Sequence, residues 1–470
     1  MSLEEVCAEV LGRVTPSEEE RRRVYEIAEG VKRRLAEELS RVGLEAEVRV
    51  EGSVAKDTWL SGDADIDVFA LLPPSVPREA LKTTFMEAAR RAASGYRQVE
   101  RWAEHPYLEC PLNGLRLNLV PCYRVEPGRW LSATDRTPYH TRYVLQRLNE
   151  RMKGEVRLLK AFVRGIGCYG AEIKVGGFSG YLCELLAIHY GGFLETLREA
   201  AEWRKPTIID PEGYYRGRED EAAEIFQHPL IVVDPVDRGR NVASAVRVEK
   251  LSLFIAASRM FLRKPSLKFF FPPKREPAPP QQLINAIEAR GTSLIAAAFN
   301  PIEAPPDILW GQLYRAERAI GRLLRKNGFE VLRSGVWSDE KRVCILVYEL
   351  GAGRLPGVVR HVGPPIWMVE HSQRFLEEHL GSERTLSGPT LEGDRWVVYL
   401  RRERRDAVQL LREKLGDGGV DVGVPRLLSE SIKETLHVCS EGEIPRLCSK
   451  YAGFTQFLTD FLHGRPTWLG

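Results

Sequence analysis

The chain has 470 residues, a formal net charge of +3 and eight cysteines. That length exceeds one ordinary core and leads us to expect roughly three or four domains. No run of about twenty apolar residues and no signal-peptide pattern at Met1-Ser2-Leu3-Glu4-Glu5 occurs, so a soluble, cytoplasmic protein without membrane association is expected. Cys7, Cys110, Cys122, Cys168, Cys183, Cys344, Cys439 and Cys448 are dispersed without Cys-x-x-Cys spacing, which argues against a disulfide framework and a structural zinc site and for small core residues. The charge alone does not establish a polyanionic partner. Any RNA surface must come from clusters such as Arg21-Arg22-Arg23, Lys32-Arg33-Arg34 and Arg401-Arg402-Glu403-Arg404-Arg405, which read first as exposed helix faces or strand ends.

Thr15-Pro16-Ser17-Glu18 predicts a helix start with Thr15 as cap, followed by an apolar stripe of Val24, Ile27, Ala28, Val31 and Leu35. Ala46, Val48 and Val50 alternate as a strand. It leads into Gly52-Ser53-Val54-Ala55-Lys56-Asp57-Thr58-Trp59-Leu60-Ser61-Gly62-Asp63-Ala64-Asp65-Ile66-Asp67-Val68-Phe69, read as a turn, a short helix and a second strand. On that strand Asp65 and Asp67 share one face, about 7 Å apart, with Ile66 and Val68 behind them. Two such carboxylates repel unless a cation sits between them, and a divalent metal is the usual answer. Ser53 and the amides opening the short helix offer donors to an anion. A phosphate cradle beside a carboxylate pair is the apparatus of nucleotidyl transfer; the plain alternative is a turn and a solvated acidic strand edge. The stretch resembles the nucleotidyltransferase superfamily typified by DNA polymerase β, a likeness that names a reaction and not a substrate.

Leu71-Leu72-Pro73-Pro74 ends the strand, and Arg78 to Ala93 reads as one helix covering a mixed sheet. Asn113-Gly114 signals a two-residue hairpin, which pairs Leu112 with Leu115 and, counting outward, Glu109 with Asn118. Further on, Ser132-Ala133-Thr134-Asp135-Arg136-Thr137-Pro138-Tyr139-His140, Glu155-Val156-Arg157-Leu158-Leu159-Lys160 and Tyr169-Gly170-Ala171-Glu172 follow in order. Phe178-Ser179-Gly180-Tyr181-Leu182-Cys183-Glu184-Leu185-Leu186 and Val233-Asp234-Pro235-Val236-Asp237 with Arg240-Asn241-Val242-Ala243 complete the series. Over residues 40–260 these strings resemble the archaeal, class I CCA-adding enzymes.

That resemblance implies addition of C, C and A to the 3′ end of tRNA from CTP and ATP, without a nucleic-acid template. It implies Mg²⁺ as cofactor, held by Asp65, Asp67 and the residue at position 118. There the family has a carboxylate, and this chain has Asn118, which can lend a carbonyl oxygen but brings no charge and no base. Three readings stay open: an asparagine introduced to slow the chemistry, a weakened natural enzyme, or substitution by Glu109. The resemblance also assigns nucleotide contacts to Ser53, Lys56, His140, Lys160, Tyr169 and Arg240. Ser53 and Lys56 would hold the triphosphate, Lys160 would neutralise phosphate, Tyr169 would offer a hydroxyl, and Arg240 would read the base edge. Without the resemblance His140 reads as a loop residue, Tyr169 as core, Lys160 as a snorkelling cation and Arg240 as a partner of Asp237.

Phe269-Phe270-Phe271 followed by Pro272-Pro273-Lys274-Arg275-Glu276-Pro277-Ala278-Pro279-Pro280 marks a boundary, its phenylalanines too apolar for open water. Beyond it, helices are predicted over 308–326, 371–380 and 405–415, and strands over 329–336, 343–350 and 396–401. Residues 353–361 read equally as a phosphate-contact loop and an ordinary surface loop. The expected fold is α+β and multidomain: a polymerase β-like head of mixed sheet and helices (1–145), a helical neck (146–268), a body (269–308 and 405–470) and an α+β tail (309–404). The distal parts would grip tRNA by its shape and phosphates, and a homodimer is admitted. The competing functions are a poly(A) polymerase-like or small-molecule nucleotidyltransferase, and a non-catalytic tRNA-binding relative.

Overall fold

The computed structural model describes residues 1–102, 104–112 and 114–469. The chain forms two compact units, one of Met1–Lys274 with the residues from Pro466 on, the other of Arg275–Arg465. Among the described residues no helix is long and apolar enough to cross a membrane.

The first unit opens with α1 (Leu3–Val14) and α2 (Glu18–Arg41). A Ser2–Glu5 capping box starts α1. The cap of α2 is Ser17, not Thr15 as expected. Thr15 is already committed to ending α1, where its N–H bonds the Leu11 carbonyl at 3.0 Å. The stripe Val24, Ala28, Val31 and Leu35 is buried as predicted, with Ile27 packed at its edge. Strands β1 (Glu47–Glu51), β2 (Ala64–Leu72), β3 (Val99–Trp102), β4 (Pro106–Leu112) and β5 (Leu115–Tyr123) form a mixed sheet in the order β1-β2-β5-β4-β3. Only β2 and β5 run parallel; the other pairs are antiparallel. Between β1 and β2 lies the short α3 (Gly52–Lys56). The predicted helix over 78–93 is two pieces, α4 (Arg78–Lys82) and α5 (Thr84–Ala92), broken at Thr83, whose hydroxyl bonds the Glu79 carbonyl at 3.0 Å.

Strand periodicity decides what this sheet does. Ile66, Val68, Leu108, Cys110, Leu117 and Leu119 face α2 and α5 in one core. The opposite parity of β2 and β5 therefore sends Asp65, Asp67, Arg116 and Asn118 to the other face. The predicted register holds: Glu109 pairs with Asn118 and Leu112 with Leu115, through Pro111. Asn113 of the expected turn lies outside the described residues; Gly114 has φ 75°.

Helices α6 (Thr137–Leu145), α7 (Glu150–Gly165), α8 (Gly180–Tyr190), α9 (Phe193–Glu202), α10 (Glu219–Phe226) and α11 (Val248–Arg263) follow, with a small sheet of β6 (Thr207–Ile209), β7 (Leu230–Asp234) and β8 (Asp237–Asn241). Their core centres on Phe162 of α7, whose ring meets those of Phe193, Phe254, Phe261, Phe269 and Phe270 within 6.2 Å. Phe269 and Phe270 are buried as expected, but Phe271 is exposed, its ring covered on one side by the guanidinium of Arg13 rather than by the core.

In the second unit, β9 (Ser293–Phe299), β10 (Val331–Ser338), β11 (Cys344–Leu350) and β15 (His437–Cys439) make a sheet in the order β10-β11-β9-β15. One face packs on α13 (Pro306–Lys326), α15 (Ala407–Leu415) and α16 (Arg426–Thr435). The other packs on α12 (Pro280–Arg290), α17 (Ile444–Lys450) and α18 (Ala452–His463). A three-stranded sheet of β12 (Val358–Pro365), β14 (Arg395–Arg401) and β13 (Thr385–Glu392) carries α14 (Val369–His379). The expected division puts α13, β10 and β11 in the tail; they share a sheet and a core with β9 and β15. Of residues 353–361, those from Val358 on are strand. The cluster at 401–405 holds the chain to itself: Arg402 donates to the carbonyls of Pro356 and Asn327, and Arg404 faces Glu413.

Candidate active site

The acidic face is built around one close approach. Gly52 opens α3 with φ +71°, and a β-carbon there would overlap Oδ2 of Asp67. Only glycine lets the turn backbone lie against that carboxylate. The Gly52 N–H donates to Thr141 Oγ1 of α6 at 3.3 Å. The far end of α3 is fastened by Asp57, in the left-handed region at φ 50°, whose carboxylate takes Arg157, Arg21 and Lys153. Ser53 is half-buried in the first turn of α3.

Asp65 is gripped by the guanidinium fork of Arg116 at 2.5 and 2.8 Å. Asn118 Nδ2 donates to Asp67 Oδ1 at 2.9 Å, leaving the amide carbonyl free of that bond. Burial pushes the Asp67 carboxyl up to about 7; Asp65 adds to the rise, while the Asn118 bond and Lys56 oppose it. Asp65 is also raised by burial, against the pull of Arg116. Two carboxylates and an amide carbonyl are hard oxygen donors, and a half-buried pair that resists double ionisation is the set that a divalent cation stabilises. The donors fit such an ion, provided that Arg116 yields its place on Asp65. Glu109 stands next in the row beyond Asn118, and its carboxylate is held by Arg101 at 2.9 Å.

A second cluster gathers on Glu184 of α8, which is buried. It binds the ammonium of Lys56, the hydroxyl of Thr58 at 2.6 Å and Lys160 Nζ at 2.9 Å. Burial alone would raise this carboxyl, but Lys160 and Lys56 outweigh it and hold it down at about 2. Two cations on one anion leave one excess positive charge, in a place where water does not screen it. The Tyr169 hydroxyl reaches the same spot: a β-carbon on Gly180 would stand 3.0 Å from it and 3.7 Å from Lys160 Nζ.

A third cluster gathers on Asp234, at the end of β7. It takes His140 Nε2 at 2.9 Å, Arg240 at 2.6 Å and the Tyr181 hydroxyl at 3.4 Å. Burial lowers His140 against the pull of Asp234. Arg240 thus pairs with Asp234, correcting the expected alternative of Asp237, which is occupied by Arg136 at 2.8 Å. Tyr181 joins the two clusters, its ring stacked on His140 with centroids 4.1 Å apart and lying 5.8 Å from Lys56 Nζ.

The predicted residues therefore fall into three sets: Ser53 beside Asp65, Asp67 and Asn118; Lys56 with Lys160 and Tyr169; and His140 with Arg240. Sequence reasoning missed the carboxylates that hold the last two, Glu184 and Asp234. Each carried a signal, since Glu184 is the lone charge in an apolar helix run and Asp234 closes an apolar strand, and such acids need partners.

Residues 32–140 match the model of the nucleotidyltransferase domain, and residues 154–271 that of the tRNA nucleotidyltransferase second domain. Residues 290–441 match that of the CCA-adding enzyme C-terminal domain. The CCA-adding enzyme of Methanosarcina acetivorans is 37% identical over 451 residues, covering 94% of this chain and 95% of that one. Those of Methanoregula boonei and Pyrobaculum islandicum are 40% and 39% identical, covering 90% of this chain and 88% and 96% of theirs. The chain belongs to the CCA-adding enzymes. With that family come the polymerase β-like head and the multidomain α+β architecture, and the Asp65–Asp67 face lies inside the nucleotidyltransferase match.

Proposed function

We infer that this chain adds C, C and A to the 3′ end of tRNA, taking CTP and ATP and releasing pyrophosphate. The observation that carries the reading is the excess positive charge around Glu184 from Lys160 of α7 and from Lys56, which ends the helix that begins against Asp67. It sets positive charge beside the acidic pair, where Lys56 acts on Asp67.

In this reading Asp65, Asp67 and the carbonyl of Asn118 would hold Mg²⁺, with Glu109 a further carboxylate next to Asn118 in the same row. When bound, the ion neutralises triphosphate charge and favours the deprotonated 3′-hydroxyl. Ser53 donates to the triphosphate, and Lys56 turns from Glu184 toward it while Lys160 keeps that carboxylate neutralised. The tRNA 3′-hydroxyl attacks the α-phosphorus in line, and pyrophosphate leaves toward Ser53 and Lys56. Tyr169 adds a hydroxyl contact. His140 and Arg240, fixed by Asp234, face the base, where guanidinium donors suit acceptors that C and A present. We further propose a head over 1–145 and a neck over 146–268, with the tail confined to 351–404, and a cytoplasmic place of work.

Arg116 on Asp65 and an amide at position 118 also favour a second reading, a non-catalytic relative that binds tRNA. The test is incorporation of labelled CTP and ATP into tRNA lacking its CCA end. Ordered addition that stops after one A supports the first reading, and long homopolymer tails overturn it. Binding without incorporation, unchanged in Asn118→Asp, selects the second.

A further inference from the structure

The second unit carries a cluster that the nucleotidyl-transfer reading leaves unused. His437 and Cys439 lie two residues apart on β15 and so point to the same side of the sheet. Ser440 then caps a 3-10 turn, Glu441–Glu443, whose capping box returns the Glu443 side chain toward the strand. One ligand atom from each of His437, Cys439 and Glu443 lies within 4.8 Å of the other two. Glu443 Oε2 accepts the Ser440 N–H at 3.2 Å, and Oε1 faces His437 Nε2 at 3.6 Å.

We propose that His437, Cys439 and Glu443 form a binding site for a thiophilic divalent cation of the zinc class. A thiol, an imidazole and a carboxylate are the ligand types that zinc takes, and the sulfur selects against magnesium. The carboxylate is oriented by its own hydrogen bond, as ligating carboxylates are. Cys439 is buried, whereas 59% of the His437 side chain is exposed, which gives the ion a way in and water the remaining position. On binding, the Cys439 thiol loses its proton to solvent and the sulfur bonds the metal as thiolate. The site ties β15, a three-residue strand at the edge of its sheet, to the turn that follows it. Linear Cys-x-x-Cys spacing does not describe this His-x-Cys-x-x-x-Glu arrangement, so a search for that spacing passes over it.

The test uses the full chain, stripped with chelator and titrated with Co²⁺ alone, then with Zn²⁺ as competitor, without tRNA or nucleotide. Equimolar binding with a thiolate-to-cobalt charge-transfer band, displaced by Zn²⁺ and not by Mg²⁺, is expected. Cys439→Ser should lose the band. His437→Ala and Glu443→Gln, which alter exposed or half-exposed side chains, should weaken binding about 100-fold while the chain stays folded. Asp67→Asn should leave the band intact, separating this site from the head. Absence of the band in the unaltered chain, or its persistence at full affinity in His437→Ala, overturns the proposal.

Discussion

Asn118 donates its amide hydrogen to Asp67 across parallel strands, at 2.9 Å. Their strand register places Glu51, Asp67, Asn118 and Glu109 in one row across the sheet, so the amide separates two carboxylates. An aspartate at 118 would stand between Asp67 and Glu109, with its own charge unpaired. Asn118→Asp should therefore lower the melting temperature without Mg²⁺, recover it with Mg²⁺, and raise single-turnover incorporation about 100-fold. Melting curves with and without the ion, beside rapid-quench kinetics, check both halves. An unchanged rate would remove position 118 from the catalytic set.

Gly52 meets the same carboxylate from the other side. Gly52→Ala must place a β-carbon on Asp67 Oδ2 and hold an L-residue at φ +71°, a conformation costing about 1–3 kcal/mol. The displaced carboxylate should cost roughly 100-fold in kcat/KM, beyond what the stability loss explains. Urea denaturation gives the first quantity and incorporation kinetics the second. Normal turnover in a folded Gly52→Ala chain would separate Asp67 from the chemistry.

How much of this was legible beforehand depends on whether the information is local. Strand alternation placed Asp65 and Asp67 on one face, and the turn dipeptide set the Glu109–Asn118 register, because both follow from backbone geometry alone. The Thr15 cap failed because a neighbouring helix, itself unpredicted, had prior use of that residue. Strand β9 was missed because its Ala296-Ala297-Ala298 run has little β propensity and owes its state to burial on both faces. Glu184 and Asp234 went unassigned for a different reason. Their partners lie 24 to 128 residues away for Glu184 and up to 94 for Asp234, distances that no local pattern spans.

Glu184 anchors the ammoniums of Lys56 and Lys160, and its loss has a pH signature. It stays ionised in the fold down to about 2, whereas an unfolded glutamate titrates near ~4.3. A carboxyl with a depressed folded value contributes stability above its unfolded value and loses it as pH falls through the folded one. The unaltered chain should therefore lose stability from this group between about pH 5 and pH 2. Glu184→Gln should lack that slope and be about 3–5 kcal/mol less stable at neutral pH, since two buried ammoniums lose their anion. Melting temperature against pH for both chains is the measurement. Parallel curves would mean that the lysines are neutralised elsewhere.

Asp234 allows the base-reading role proposed for Arg240 to be separated from plain structural support. It holds Arg240 and His140 together and lies below the ordinary carboxylate range; burial would raise it, but the hydrogen bond and charge of His140, then Arg240, prevail. In Asp234→Asn the guanidinium keeps its charge and loses its anchor. If Arg240 reads the base, discrimination of CTP and ATP against UTP and GTP should fall roughly 10-fold or more, while maximal rate with the correct nucleotide falls less. Arg240→Lys should reproduce that pattern, because an ammonium cannot present the planar donor fork. Competition assays with all four nucleotides provide the readout. Equal losses with every nucleotide would make Arg240 a support of the fold around β7 and return base selection to other groups.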